Sequence, residues 1–267
     1  MTPINILPAL ADCGGAFLHY ERWLLLARSD IRLRYRRTIL GPWWATLSTA
    51  MMIASVGLVF GGIFGSDMAT YIPYFATGII IWTFIGGSLM EGCAVFTGAS
   101  GLIKSIPASL MVHVYRMLSR QLIVLAHQLI LVLLLWLIFR WPIGWDGLLA
   151  VPGFLVVTLA LVGTTLTLGI LSTRFRDFQQ IIATVMQLLF LLTPIVWMPQ
   201  TLRAGRHTGL VLIFNPFYHW IEVVRGPLLG HPPELRIWLS AIASATLSLA
   251  LGIVVYARFR YRVPYWL

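Results

Sequence analysis

The chain is short of acid and short of charge altogether. Nine Asp and Glu stand against nineteen Lys and Arg in 267 residues, and charged residues make up 10% of the sequence. An ordinary soluble domain carries about a quarter, so that class is set aside. Only two cysteines occur, Cys13 and Cys93, far apart and with no CxxC pattern or neighbouring histidine set. That spacing argues against a disulfide framework and against a metal site. There is no GxxxxGK[ST] string, no long polar insertion, no low-complexity tract and no repeat between the halves. The chain therefore lacks a phosphate-binding loop of its own, and any energy source is expected on another chain. Met1–Gly15 also lacks the basic start and contiguous apolar core of a cleavable signal, so insertion is expected to rest on internal spans.

What the chain has is apolar surface: 59% hydrophobic residues and a mean hydropathy of +0.86, the composition of a membrane protein. Its net charge of +10 would suit nucleic acid, but the basic residues are scattered among apolar runs rather than gathered on one solvated stripe. No nucleic-acid partner is expected. Six stretches approach the ~20 residues a bilayer core requires. They are Pro42–Phe64, Tyr71–Phe96, Met111–Phe139, Leu148–Leu171, Phe178–Trp197 and Ile237–Tyr256. The expected fold is an all-α integral membrane protein of six transmembrane helices, forming a single domain over residues 1–267.

Lys and Arg flanking the spans are retained on the cytoplasmic side. With the N-terminus inside, fourteen of the nineteen fall there, and only Arg140, Arg203, Arg206, Arg225 and Arg236 fall outside. Both termini are thus expected in the cytoplasm. Before the first span, residues 17–37 place Tyr20, Leu24, Ala27, Ile31 and Tyr35 at helical steps, with Arg28, Arg32 and Arg36 on a neighbouring stripe. This pattern predicts an amphipathic helix in the inner interface, in contact with membrane lipids and able to neutralise phosphate groups. Generic lipid anchoring accounts for it equally well. Between the last two spans, residues 199–236 are interrupted by Asn215-Pro216, Gly226-Pro227 and Pro232-Pro233. Short re-entrant helices dipping into the outer leaflet satisfy this pattern, with a solvated external loop as the alternative.

Few residues suggest chemistry. Asp30 among arginines, Asp177 after Arg174 and Arg176, and Glu222 three residues before Arg225 all have local partners for ion pairing. Glu91 lies inside an apolar stretch about one turn from its cytoplasmic end, where it either couples to protons or faces the bundle and the inner water layer. His127 and Gln128 lie mid-way along the third stretch, where hydrogen bonding between helices explains them. Tyr74, Phe190 and Trp197 stand at outer ends, as belt anchors or as a stacking surface for sugar rings.

Three strings together resemble one family. Ser29-Asp30-Ile31-Arg32-Leu33-Arg34-Tyr35-Arg36-Arg37-Thr38-Ile39-Leu40-Gly41-Pro42-Trp43-Trp44 is similar to the opening motif of ABC type-2 permeases that export polysaccharides. Arg176-Asp177-Phe178 followed by Leu192-Thr193-Pro194-Ile195-Val196-Trp197 resembles that family's fifth-span pattern, and Phe214-Asn215-Pro216-Phe217 with Glu222 and Arg225 its external signature. The resemblance covers nearly the whole chain and is strongest to O-antigen exporters, with capsule and teichoic-acid exporters as neighbours. It implies a homodimer in the bacterial inner membrane with two separate ATPase subunits, moving a polyprenyl-diphosphate-linked glycan outward. It implies no catalytic or metal residue here and no cofactor in this chain, with ATP and magnesium held by the partner. The loop 98–109 would be the coupling helix that docks on the ATPase through Leu102, Ile103, Lys104 and Ile106, with Asp30 close by. Arg32, Arg34, Arg36, Arg174 and Arg176 are candidates for attracting the diphosphate, because planar guanidinium donors bind phosphate in pairs and stay charged.

Two other classes remain open. An ion-coupled secondary transporter would place several ionisable groups at mid-membrane. A membrane glycosyltransferase would need an exposed acidic pair or a metal site, and neither stands out.

Overall fold

A computed structural model describes residues 6–63, 67–106, 108–199 and 212–267. Among them the chain is helical, with no strand. Two helices come first: α1, Ile6–Leu18, and α2, Tyr20–Arg34, separated at His19, whose backbone leaves helical geometry. The expected interface helix over 17–37 corresponds to α2, and α1 is an addition to it. The apolar helices follow as α3 (Trp43–Ile63), α4 (Met68–Cys93), α6 (Met111–Phe139), α7 (Ala150–Arg174), α8 (Phe178–Leu192) and α10 (Leu235–Phe259). Between them lie a short α5 (Ser100–Ser105) and the buried α9 (Pro216–Leu228), and α11 (Val263–Trp266) ends the chain. Each of the six apolar stretches of the sequence is thus helical over most of its length.

Four helices among the described residues are long and apolar enough to cross a bilayer: α4, α6, α10, and α7 together with the 3-10 turn Trp145–Leu149 that opens it. α8 is shorter than its expected extent of 178–197. Its 15 residues rise about 22 Å at ~1.5 Å each, less than the ~30 Å hydrocarbon core. The cause is local. Pro194 has no N–H for the helical ladder and disfavours helical geometry at the residue before it, so Thr193 turns extended at φ −89° and ψ 133°.

α4 forms the centre, with Tyr71, Phe75, Ile80, Phe84, Ile85 and Ser88 all buried. α7 and α10 make the closest helix pair, and glycine permits it. A Cβ on Gly163 would fall 2.2 Å from the Ser248 carbonyl oxygen, and one on Gly252 2.4 Å from that of Gly163. Such backbone-to-backbone approach is how membrane helices gain packing energy where lipid supplies no hydrophobic drive. α3, α4 and α6 are joined through buried polar groups: Gln128 Nε2 donates to Thr49 Oγ1 at 2.9 Å and Thr83 Oγ1 donates to Gln128 Oε1 at 3.3 Å. Among the described residues His127 bonds within its own helix, at Ile123 O, and meets the Trp43 ring edge-on at 5.3 Å.

α9 lies inside the bundle rather than on its surface. Asn215 caps it, accepting from the Phe217 and Tyr218 amides at 3.0 and 3.4 Å, and Pro216 occupies the first turn, where its missing N–H costs nothing. Phe217 packs on Trp82, half-way along α4, and Leu228 at the other end accepts a hydrogen bond from Trp141 Nε1. The helix therefore starts at mid-depth and runs to the end of the bundle opposite the arginine-rich one. Of the region 199–236, residues 200–211, with Arg203 and Arg206, lie outside the described residues.

Candidate functional site

At the arginine-rich end, two carboxylates and three arginines tie together α2, α4 and α6. Asp30 of α2 accepts from Arg116 Nε at 2.6 Å and pairs with the terminal nitrogens of both Arg116 and Arg120. Arg120 also donates to Glu91 Oε2 at 2.9 Å, and Arg34 donates to Glu91 Oε1 at 2.7 Å. Burial pushes the Asp30 carboxyl up, but the hydrogen bonds and charges of Arg116 and Arg120 outweigh it and hold the group below the usual carboxylate range. A cavity of about 210 Å³ lies beside this cluster, lined by Arg34, Glu91, His113, Arg116 and Arg120.

Sequence reasoning placed Asp30 among local arginines and missed Arg116 and Arg120 as its partners. Their i, i+4 spacing at the start of α6 was the available signal, since it puts both on one face. Glu91 likewise finds its cations on two other helices. Asp177 forms no ion pair among the described residues, whereas Glu222 and Arg225 pair as their spacing implied.

The five arginines expected at the inner mouth do not share one site. Arg34 is committed to Glu91, while Arg32 and Arg36 are exposed. Arg174 lies over the rings of Phe175 and Trp266, at 5.6 and 5.9 Å. Arg176 lines a separate cavity of about 310 Å³ with Thr97, Ser100, Ser172 and Gln179. Both cavities border the turn at 97–100, which carries the chain from α4 into α5, the first through Gly98 and Ala99 and the second through Thr97 and Ser100.

The expected coupling segment 98–109 is a 3-10 turn, Thr97–Ala99, followed by the six residues of α5. Lys104 and Ile106 are exposed, and Leu102 and Ile103 half-buried. Ile103 and Ile106 border a groove of about 590 Å³, whose other walls are α1 and the C-terminal Tyr256, Arg260 and Tyr265. α1 is held there by Asp12, which accepts from the Tyr256 hydroxyl, and by Arg260, which donates to Pro8 O at 2.9 Å.

At the opposite end the bend after α8 is clamped. Arg225, 1% exposed, donates to Pro194 O at 2.8 Å, pairs with Glu222, and lies 3.9 Å over the Tyr74 ring. The Tyr74 hydroxyl donates to Pro194 O at 2.9 Å, and that of Tyr71 to Val196 O at 2.8 Å. Asn215 Nδ2 donates to Thr193 Oγ1 at 2.9 Å. The Pro194 and Val196 carbonyls of the bend that follows Leu192 are thus taken up by side chains of α4 and α9, as buried carbonyls require. Of the aromatic residues considered as a glycan surface, Tyr74 has its ring face covered by Arg225. Phe190 packs on Trp82 at 5.8 Å, and Trp197 donates to Leu191 O at 3.1 Å, both with part of the ring exposed.

Comparison with known proteins adds two findings. Residues 21–229 match the model of the ABC-2 type transporter family. Over 202 residues the chain is 23% identical to the O-antigen export system permease protein RfbA of Myxococcus xanthus, covering 74% of this chain and 77% of that protein.

Proposed function

The chain belongs to the ABC-2 type transporter family, and from that premise we propose that it moves a polyprenyl-diphosphate-linked polysaccharide, O-antigen in the first instance, out of the cytoplasm. It is a multi-pass membrane protein and the transmembrane subunit of an exporter, and permeases of this family work with a partner ATPase. The observation that carries the glycan reading is the match to an O-antigen export permease along three quarters of the chain.

The remaining assignments follow from this reading. The protein acts as a homodimer with two ATPase subunits in the bacterial inner membrane, with both termini in the cytoplasm and six spans per copy. The entry of α9 at mid-depth supports a re-entrant segment before the last span. α5 docks on the ATPase through Ile103 and Ile106, with Lys104 at the rim, and Asp30 links α2 to that region through α6. The exposed Arg32 and Arg36, with Arg174 and Arg176, attract the diphosphate of the carrier. Phe190 and Trp197 border the glycan path. An ion-coupled carrier is less well supported, because Asp30, Glu91 and Glu222 are all engaged by arginine.

The test is deletion of the chain in its own host. Surface polysaccharide should disappear while lipid-linked polymer accumulates inside the cell, and re-expression should restore export only when the co-expressed ATPase hydrolyses ATP. Normal surface polymer in the deletion strain would overturn the reading. Loss of capsule or teichoic acid instead of O-antigen would keep the exporter and change its cargo.

A further inference from the structure

The segment expected to meet the ATPase is ordered without the means to order itself. α5 has six residues, under two turns of helix, and helices shorter than about 12–15 residues are marginal in water on their own. Among the described residues its side chains reach no other element by hydrogen bond or ion pair: Ser105 Oγ donates back to Gly101 O and Leu102 O, and Lys104 has no carboxylate partner. At Gly98 and Gly101 no neighbouring atom lies within 4 Å of the place a Cβ would take. Apart from the turn that leads into it, the chief packing partner of α5 among the described residues is α11. Ile103 and Ile106 share the groove of about 590 Å³ with Pro264 and Tyr265, and Ser100 shares the cavity of about 310 Å³ with Trp266 and Leu267. A void supplies no packing atoms, so the order of α5 rests chiefly on its contact with α11. α11 is shorter still, at four residues, but it is anchored. Val263 is fully buried and the helix packs on α7. The Trp266 ring lies 5.7 Å from that of Phe259 in α10, and the Arg174 guanidinium of α7 lies 5.9 Å from its centroid.

We propose that Val263–Trp266 is the seat of the coupling segment, and that Val263 and Trp266 are positioning residues for export. A push on α5 bears on α11, and α11 bears on α7 and α10, whose backbones meet at Gly163 and Gly252. Coupling between two sites needs an element whose position both of them bias, and α11 touches both. The proposal deepens the exporter reading and rests on it for the origin of the push; the seat itself does not depend on it. Weakening the seat leaves the apolar surface of Ile103 and Ile106 in place. The ATPase then still docks and turns over, but its movement is lost in a loose α5, which is uncoupling rather than dissociation.

The first arm of the experiment is hydrogen exchange, read by mass spectrometry on the full-length chain in lipid nanodiscs without the ATPase. The double variant Val263→Ala with Trp266→Ala should speed exchange of the amides of 102–106 by about tenfold or more. Trp266→Phe keeps a ring against Phe259 and Arg174 and should change it by less than about twofold. The interiors of α7 and α10 should exchange as in the unaltered chain, which separates loss of the seat from loss of the fold; if the double variant disturbs them, Trp266→Ala alone carries the test. Exchange at 102–106 within about twofold of the unaltered chain would overturn the seat. The second arm uses the complex with the co-expressed ATPase. Glycan exported per ATP hydrolysed should fall by about tenfold in the double variant while the ATPase still co-purifies and hydrolyses ATP, and Trp266→Phe should keep the ratio. An unchanged ratio overturns the path of the push. Release of the ATPase overturns it too, and makes α11 a docking surface instead. An unaltered chain that exports no glycan removes the exporter reading, and the exchange result alone then decides the seat.

Discussion

Arg225 offers a direct test of how the bend after α8 is held. It is buried, and its guanidinium serves the Pro194 carbonyl, Glu222 and the Tyr74 ring at once. Arg225→Ala strands Glu222, which is 17% exposed at its side chain, and removing one partner of a buried pair costs about 3–5 kcal/mol. The cation–π contact adds about 1–2 kcal/mol when desolvated. These contributions overlap, because the same side chain makes both, so a total near 4 kcal/mol is expected. At roughly 2–4 °C per kcal/mol for a chain of this size, Tm should fall by about 8–16 °C. Thermal unfolding of the detergent-purified protein, followed by tryptophan fluorescence, reads this shift. Arg225→Lys keeps the charge but not the forked donors, and should fall between. The double variant Arg225→Met with Glu222→Met removes both charges and should recover more than half of the loss, since an apolar pair of similar volume carries no stranded charge. A Tm for Arg225→Ala within about 2 °C of the unaltered protein would refute the clamp.

Three further outcomes are expected. Asp30→Asn should loosen α2, seen as faster proteolysis between Glu21 and Arg34 at neutral pH. Because the Asp30 carboxyl is held below its ordinary value, its contribution is complete above about pH 4–5 and is lost as pH falls through the depressed value. Protection of α2 in the unaltered protein should therefore collapse only in strong acid, and an identical profile for Asp30→Asn would exclude the anchor. Ile103→Asp or Ile106→Asp should release the ATPase from the membrane while the chain still inserts, and normal co-purification with both variants would reject the docking surface. For topology, a cysteine at Gly205 should react with an impermeant reagent in intact cells and cysteines at Ser29 or Arg258 should not, so labelling at Ser29 would reverse the orientation.

The apolar helices were legible because hydropathy alone sets them, four of them long enough to cross a bilayer. The stretch Met111–Phe139 is the same in sequence and structure, since it contains no proline or glycine to break the helix. The end of α8 was missed although Pro194 was in view, because the residues after it remain apolar and only their partners on α4 and α9 turn them into a bend. α1 was invisible for a different reason. Gly14 and Gly15 dilute its helical signal, and its order comes from contacts with Tyr115, Tyr256 and Arg260, distant in sequence. In the site, the i, i+3 pair Glu222–Arg225 could be read from spacing. The pairing of Arg34 with Glu91, 57 residues away, could not, and that pairing separates Arg34 from Arg32 and Arg36, which carry the same sequence signal and form no ion pair among the described residues.

The glycine contact between α7 and α10 has a mechanical consequence. Two backbones that touch at Gly163 and Gly252 cannot slide past one another by a turn without driving a side chain into a carbonyl oxygen, so the pair behaves as a single beam. Among the described glycines none brings the backbone of α3 or α8 against that of another helix, and their outward faces carry the exposed Met51, Leu58, Ile181 and Leu188. Deformation follows the softest joints, so a displacement of the turn at 97–100 is expected to spread into α3 and α8 before it parts the beam. Stiffness in this protein is set by where side chains are missing.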